Sequence, residues 1–212
     1  DWVFNDFYTS LVTCKLSPEC ADTKVHAGFQ RSVMGIRVAI LEQIKQYIRA
    51  DYVILFTGHS KGAAMSTMAT VMARYEFRDV PSIDKKIYNL NFGSPRVGNA
   101  DFAAFYNRIV PDDRTARYID KYHNDVLADC EDVVTTVPPT WLGYKHVKNG
   151  KFVTCERKWF GNPDPIPGIH FQLYPEGKYL PSLVGCHFQE TYMDGLLYGP
   201  PATNVMKLMG DE

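Results

Sequence analysis

The sequence predicts an α/β domain, a mostly parallel central sheet with helices on both faces, and residues 1–212 read as a single such domain. Three observations carry this: an apolar stripe of helical period, a short buried strand running into a small-residue helix, and a further strand–helix–strand alternation behind it. In residues 29–48, Phe29, Val33, Ile36, Ile40, Ile44 and Ile48 recur at threes and fours, one face of a helix that packs on a sheet. Tyr52, Val53, Ile54, Leu55 and Phe56 form a continuous β-branched and aromatic run, as expected of a strand buried on both faces of a parallel sheet. The run stops at Gly58. Gly62, Ala63, Ala64, Ser66 and Ala69 come next, with Met65, Met68 and Met72 between them, and read as a tightly packed helix up to about Phe77. The alternation then repeats, with residues 86–92 as strand, 99–110 as helix and 117–119 as strand. Beyond Asp120 the pattern dissolves into loops rich in proline, glycine and aromatics, and a last helix is expected over 187–198.

With 212 residues, 45% of them hydrophobic, the chain is long enough for one substantial core. A net charge of -1 provides no basic field for phosphates, so nucleic acid is not an expected partner. No apolar run approaches the roughly 20 residues that span a bilayer, and no transmembrane segment is expected. Five cysteines, Cys14, Cys20, Cys130, Cys155 and Cys186, exceed average cytosolic use and favour a secreted protein. Their odd number leaves one either free or paired with chain outside this sequence. None has metal-ligand spacing, so neither a metal nor a cofactor is expected.

The chemistry concentrates at Gly58-His59-Ser60-Lys61-Gly62, a G-x-S-x-G placed between the buried strand and the small-residue helix. A turn this sharp brings the backbone on either side of Ser60 together, which calls for glycine at both flanks and lifts the hydroxyl out of the sheet. At a helix N-terminus the backbone amides favour negative charge, and the Lys61 N–H is placed to stabilise an oxyanion beside Ser60. A serine hydroxyl needs an imidazole to take its proton, and the imidazole needs a carboxylate; with this elbow both come later in the chain, acid before histidine.

Several segments together resemble the class 3 lipase family of fungal, plant and protist esterases. Val25-His26-Ala27-Gly28-Phe29 resembles its VHxGF segment, and 52–62 its strand and elbow. Residues 91–99, Asn-Phe-Gly-Ser-Pro-Arg-Val-Gly-Asn, resemble its F-G-x-P-R-V-G-N signature. Residues 132–139 resemble its acid loop, with the aspartate six residues before a proline pair, and Gly143-Tyr144-Lys145-His146 comes after it as in many relatives. The resemblance implies an α/β-hydrolase fold and a serine hydrolase that cleaves carboxylic esters, foremost an acylglycerol lipase acting through an acyl-enzyme. A feruloyl-type esterase, or a non-catalytic lipase-like signalling or scaffold protein, are the alternatives. Carried over by position, the triad is Ser60, Asp132 and His187. Asp125 competes with Asp132 as the acid, and His170 with His187 as the base. His26, His59 and His146 are expected to be structural. Arg96 with Asn99 reads either as a substrate clamp or, more simply, as a turn that fastens the next helix. Trp141, Ile166, Ile169 and Leu180 are candidates both for an acyl pocket and for the core.

The resemblance also implies a Cys14–Cys20 bridge, while Cys130 with Cys155 is a second option. The family's second oxyanion donor and mobile lid, which come from an earlier segment, have no counterpart here. Residues 1–7 resemble the family's segment just after that lid, so the early strands are expected on an additional N-terminal segment, separate or cleaved. Cys155 or Cys186 could bridge to it.

Overall fold

The computed structural model describes residues 10–49, 52–122 and 130–153. Its centre is a sheet in which β3 (Ile54–His59), β4 (Ile87–Phe92) and β6 (Thr115–Tyr122) run parallel in that order. β6 also pairs with β9 (Gly150–Val153), parallel to its middle, and with β7 (Cys130–Glu131), antiparallel to its end. The crossover from β3 to β4 is α3 (Lys61–Glu76) followed by the short α4 (Ile83–Lys86), and the crossover to β6 is α5 (Ala100–Ile109). The α/β alternation expected from the sequence is present in order.

A second, smaller antiparallel sheet of four short strands lies beside this layer: β1 (Leu11–Thr13), β2 (Lys24–His26), β5 (Gly98–Asn99) and β8 (Tyr144–Lys145). It brings the segment before β3 into contact with the turns after β4 and after the acid loop. The approach is close at Gly98, where a Cβ would sit 2.6 Å from the Lys24 carbonyl oxygen. Cys14 and Cys20 form the disulfide the resemblance implied, both sulfurs buried in the same cluster as Phe29 and Met72. Cys155 and Cys186 lie outside the described residues.

Two expectations change. The stripe over 29–48 is not one helix but two, α1 (Ala27–Gly35) and α2 (Arg37–Tyr47), broken at Ile36. Gly35 ends α1, and Ile36 leaves helical geometry at φ -114°, ψ 7°. Ile36 consequently faces solvent, whereas Phe29, Val33, Ile44 and Ile48 stay buried. The second change concerns β3, which is not buried on both faces: Ile54 and Phe56 pack inward while Leu55 and Thr57 are exposed. Among the described residues β3 pairs on one side only, with β4.

The core sits between the helices and the inner face of the sheet. Phe29 and Val33 of α1, Met68 and Met72 of α3, and Phe102 and Tyr106 of α5 share one buried cluster. Small residues at 63, 64, 66, 67, 69, 70 and 73 bury one side of α3 and let it lie close to the strands. That close packing fixes where the N-terminus of α3, and with it Ser60, emerges at the sheet edge.

Candidate active site

Ser60 occupies the turn between β3 and α3 with φ 57° and ψ -128°, a left-handed geometry that an L-residue adopts only when its surroundings impose it. The surroundings here are specific. The Ser60 amide donates to the Phe92 carbonyl at the end of β4 (3.1 Å), and the Ser60 carbonyl accepts from Ala63 and Ala64 (3.0 and 3.3 Å). Both sides of the turn are thereby pinned. A Cβ on Gly58 would lie 2.4 Å from the Gly62 carbonyl carbon and 2.7 Å from the Ala63 nitrogen, so glycine is obligatory at 58. Gly62 differs from expectation: a Cβ there meets nothing within 4 Å. The crowding of the elbow is one-sided because Gly62 contributes backbone, not its own side-chain position, to the contact. Ser60 is half-buried, and Lys61 is the first helical residue, among the amides that have no acceptor within the helix.

Asp132 is fully buried and caps the one-turn 3-10 helix Val133–Thr136, its Oδ1 accepting from the Val134 N–H at 2.8 Å. The Asp132 amide donates to the Asp120 carbonyl at 3.0 Å, which ties the loop to the end of β6. Phe92 of β4 is in register with Tyr118 of β6. Ser60 at the end of β3 and Asp132 beside the end of β6 therefore share the carboxyl edge of the sheet, with β4 between the two strands. His187, its rival His170 and the rival acid Asp125 lie outside the described residues.

The loop that carries Asp132 is gripped along four consecutive carbonyls. The His146 Nε2–H donates to the Thr135 oxygen at 2.6 Å. The Arg96 guanidinium donates to the Thr136 and Pro138 oxygens, the latter at 2.9 Å, and the Arg96 amide donates to the Val137 oxygen at 2.8 Å. Sequence reasoning missed this use of Arg96. The residue lies about 40 positions from the loop it holds, and only the return of the chain at the sheet edge brings them together. Asn99 keeps the simpler role, its Oδ1 accepting from Phe102 N–H (2.9 Å) to cap α5 and from Lys24 N–H (3.1 Å).

Two of the other described histidines, His26 and His146, fit structural duties. His26 is buried, stacks on Phe29 at 3.9 Å and caps α1 by accepting from the Phe29 N–H. Burial, and then the positive charges of Arg117 and Arg96, push the His146 imidazole down to about 3, so it is neutral at any ordinary pH. Arg117 itself is buried and donates from Nε to the Val147 carbonyl at 2.9 Å; desolvation lowers it to about 10, still fully charged at neutral pH. Of the candidate acyl-pocket residues, Trp141 stands 78% exposed, outside the core, and the others fall outside the described residues.

Among the described residues no group of histidine, cysteine and carboxylate side chains is arranged to hold a metal, and no helix is long and apolar enough to cross a membrane. The class 3 lipase profile matches residues 1–141. A secreted mono- and diacylglycerol lipase of Malassezia globosa is 33% identical over 155 residues, covering 72% of this chain and 43% of the relative. A secreted mono- and diacylglycerol lipase of Fusarium solani is 32% identical over 148 residues, covering 69% of this chain and 38% of the relative. Among solved structures, the lipase of Rhizopus microsporus var. chinensis superposes with a TM-score of 0.56 at 27% identity, covering 71% of this chain and 48% of that one. A triacylglycerol lipase described as having a serine protease triad at its catalytic centre superposes with a TM-score of 0.55 at 25% identity, covering 71% and 53%. The chain thus spans about two fifths to one half of the length of the relatives it matches, and the fold they share is that of the α/β-hydrolases. On the strength of the profile match over residues 1–141, the strained serine turn and the order of its segments, the chain belongs to the class 3 lipase family.

Proposed function

We propose that this chain carries the catalytic machinery of a secreted carboxylic ester hydrolase acting on acylglycerols, with Ser60 as nucleophile, Asp132 as triad acid and His187 as base. The observation that carries the reading is the pairing of a strained, half-buried Ser60 at the end of β3 with a buried, loop-anchored Asp132 at the same sheet edge. In this scheme the Ser60 Oγ attacks the ester carbonyl carbon while the imidazole of His187 takes its proton. The oxyanion is stabilised by the Lys61 N–H at the start of α3. Collapse expels the alcohol, which takes the proton back from the imidazolium, and leaves an acyl-Ser60 ester. Water, deprotonated by the same imidazole, attacks that ester and releases the carboxylic acid. Asp132 holds the imidazole tautomer and balances its charge throughout.

The buried disulfide Cys14–Cys20 and the secreted relatives support an oxidising, extracellular setting. That those relatives are named mono- and diacylglycerol lipases supports partial glycerides as substrates. Ser60→Ala tests the scheme directly: hydrolysis of a diacylglycerol emulsion and of a short aryl ester should fall by roughly four to six orders of magnitude, with thermal stability retained. Stable fluorophosphonate labelling of Ser60 in the parent protein, abolished by the substitution, is the accompanying expectation. Unchanged turnover in Ser60→Ala would remove the serine hydrolase reading.

A further inference from the structure

At the end of α3 remote from Ser60 lies a cavity of about 440 Å³ that the esterase scheme does not use. Arg74 is 14 residues along the helix from Ser60, about 20 Å at 1.5 Å per residue, so the cavity is separate from the nucleophile. Three arginines line it, Arg74, Arg78 and Arg108.

The state of Arg74 is the telling feature. Its side chain is only 9% exposed, and its Nη2 is committed to Asp84. Its Nη1 is buried and has no hydrogen-bond partner, which leaves a cationic donor unsatisfied on a residue that lines the cavity. A buried charged donor without an acceptor is costly, and an anion at this position would supply the missing bond. Ser17, which lines the same cavity, is likewise buried; its Oγ lies toward the Cys20 N–H as cap of the 3-10 turn Pro18–Cys20, and its own hydroxyl hydrogen has no acceptor. The Arg78 guanidinium stacks over Tyr75 at 4.5 Å and that of Arg108 over Phe105 at 5.4 Å; among the described residues neither is paired with a carboxylate. Stacking holds both planes in place while leaving N–H groups for a ligand.

Charge and wall chemistry narrow the ligand. Against the three arginines stand Glu19 and Asp84, leaving a surplus of one positive charge, which suits a monoanion better than a dianion. Val71, Ile83, Phe105 and Ile109 supply apolar wall beside the donors. We propose that this cavity binds the carboxylate of a small organic acid, with Arg74 Nη1 and Ser17 Oγ as the buried donors, Arg78 and Arg108 at the mouth, and the apolar body of the acid against the aliphatic and aromatic wall.

The test is calorimetric titration of the full chain with sodium octanoate below its micellar range, with inorganic phosphate as a second arm. Binding of octanoate that weakens by about tenfold or more in Arg74→Gln and in Arg108→Gln supports the site, since each substitution removes a charged hydrogen-bond donor. Arg108 is exposed, so its variant retains the fold even if loss of the Arg74–Asp84 pair perturbs the other. Because both substitutions lie far from Ser60, octanoate bound at the ester site would be indifferent to them, and binding unchanged in both variants overturns the proposal. Phosphate binding as tightly as octanoate overturns the carboxylate assignment, and so does a failure of octanoate to bind at all. None of these outcomes depends on whether Ser60 hydrolyses esters.

Discussion

Strain at one residue, Ser60, is sustained by the absence of a side chain at another. A Cβ at Gly58 would penetrate the backbone of Gly62 and Ala63, so Gly58→Ala has to push β3 and α3 apart at the turn that holds the hydroxyl. Gly62 has open space around the same position and lies in helix, where alanine is favoured over glycine by about 0.5–1 kcal/mol. Calorimetric melting should therefore show Gly58→Ala strongly destabilised, with Ser60 labelling lost, and Gly62→Ala melting at or above the parent temperature. Equal tolerance of both substitutions would mean that the turn is not crowded as described. The sequence made the elbow legible because its residue types and its place between strand and helix are local signals, but which of the two glycines is sterically required depends on a contact that no spacing encodes. His146 illustrates the same boundary. Its structural role was readable, its environment was not: held at about 3 by burial and by Arg117 and Arg96, it stays neutral in the fold while an unfolded histidine protonates near 6.5. The unfolded state thus gains protons first as pH falls, and this residue should erode stability between about pH 6.5 and pH 3 at up to about 1.4 kcal/mol per pH unit. Urea unfolding at pH 7 and pH 5 should show a smaller loss in His146→Gln, whose amide still donates to Thr135; an identical loss would refute the assignment.

The acid loop is the element whose position matters most and whose support is least visible in the sequence. It contains no long regular structure, only one turn of 3-10 helix, and its conformation rests on donors from Arg96 and His146 to four carbonyls in a row. Arg96→Met removes the guanidinium bonds to Thr136 and Pro138 but keeps the Arg96 backbone bond to Val137 and the contact from His146. The loop should remain folded yet place Asp132 less accurately. A misplacement of about 1 Å can cost roughly a hundredfold in rate, so kcat should fall about 10- to 100-fold with KM nearly unchanged. Arg96→Lys should recover part of it, since one ammonium can reach one carbonyl but not both. A proportional rise in KM instead would make Arg96 a substrate contact. Other elements differed in legibility for equally physical reasons. Within the parallel layer β3, α3 and α5 announce themselves through runs of five or more apolar or small residues. The strands β1, β2, β5 and β8 are two or three residues long, too short for any alternation to register, and are defined by long-range pairing. The break at Ile36 escaped because the apolar spacing continues unchanged through it.

Across the molecule, a buried polar network joins the layers that hold the two ends of the site in register. Ser66 and Thr67 of α3 hydrogen-bond Asn89 and Asn91 of β4; Asn89 Nδ2 donates to the Tyr106 hydroxyl of α5 at 2.7 Å, and that hydroxyl meets Thr115 Oγ1 of β6 at 3.0 Å. All six side chains are buried, and desolvation raises the Tyr106 phenol above its ordinary value, so it stays protonated as the network needs. The chain of contacts crosses helix, strand, helix and strand, so the placement of α3, which begins at the serine turn, relative to β6, which anchors Asp132, is set by polar geometry as well as by apolar packing. A fully satisfied network confers a unique arrangement; one missing member leaves the others with desolvated, unpaired groups. Tyr106→Phe preserves the ring that fills the core and deletes only the oxygen, leaving Asn89 Nδ2 with only its longer bond to Thr67 Oγ1 (3.4 Å) on one side and Thr115 Oγ1 without the Tyr106 hydroxyl on the other. The expected cost is about 1–3 kcal/mol, which for a chain of this size is a fall in melting temperature of roughly 2–12 °C. Because the lost bonds tie β4 and β6 to α5 and not to the elbow itself, ester hydrolysis at low temperature should fall far less than in Arg96→Met. A Tyr106→Phe protein as stable as the parent would show that apolar packing alone fixes this placement.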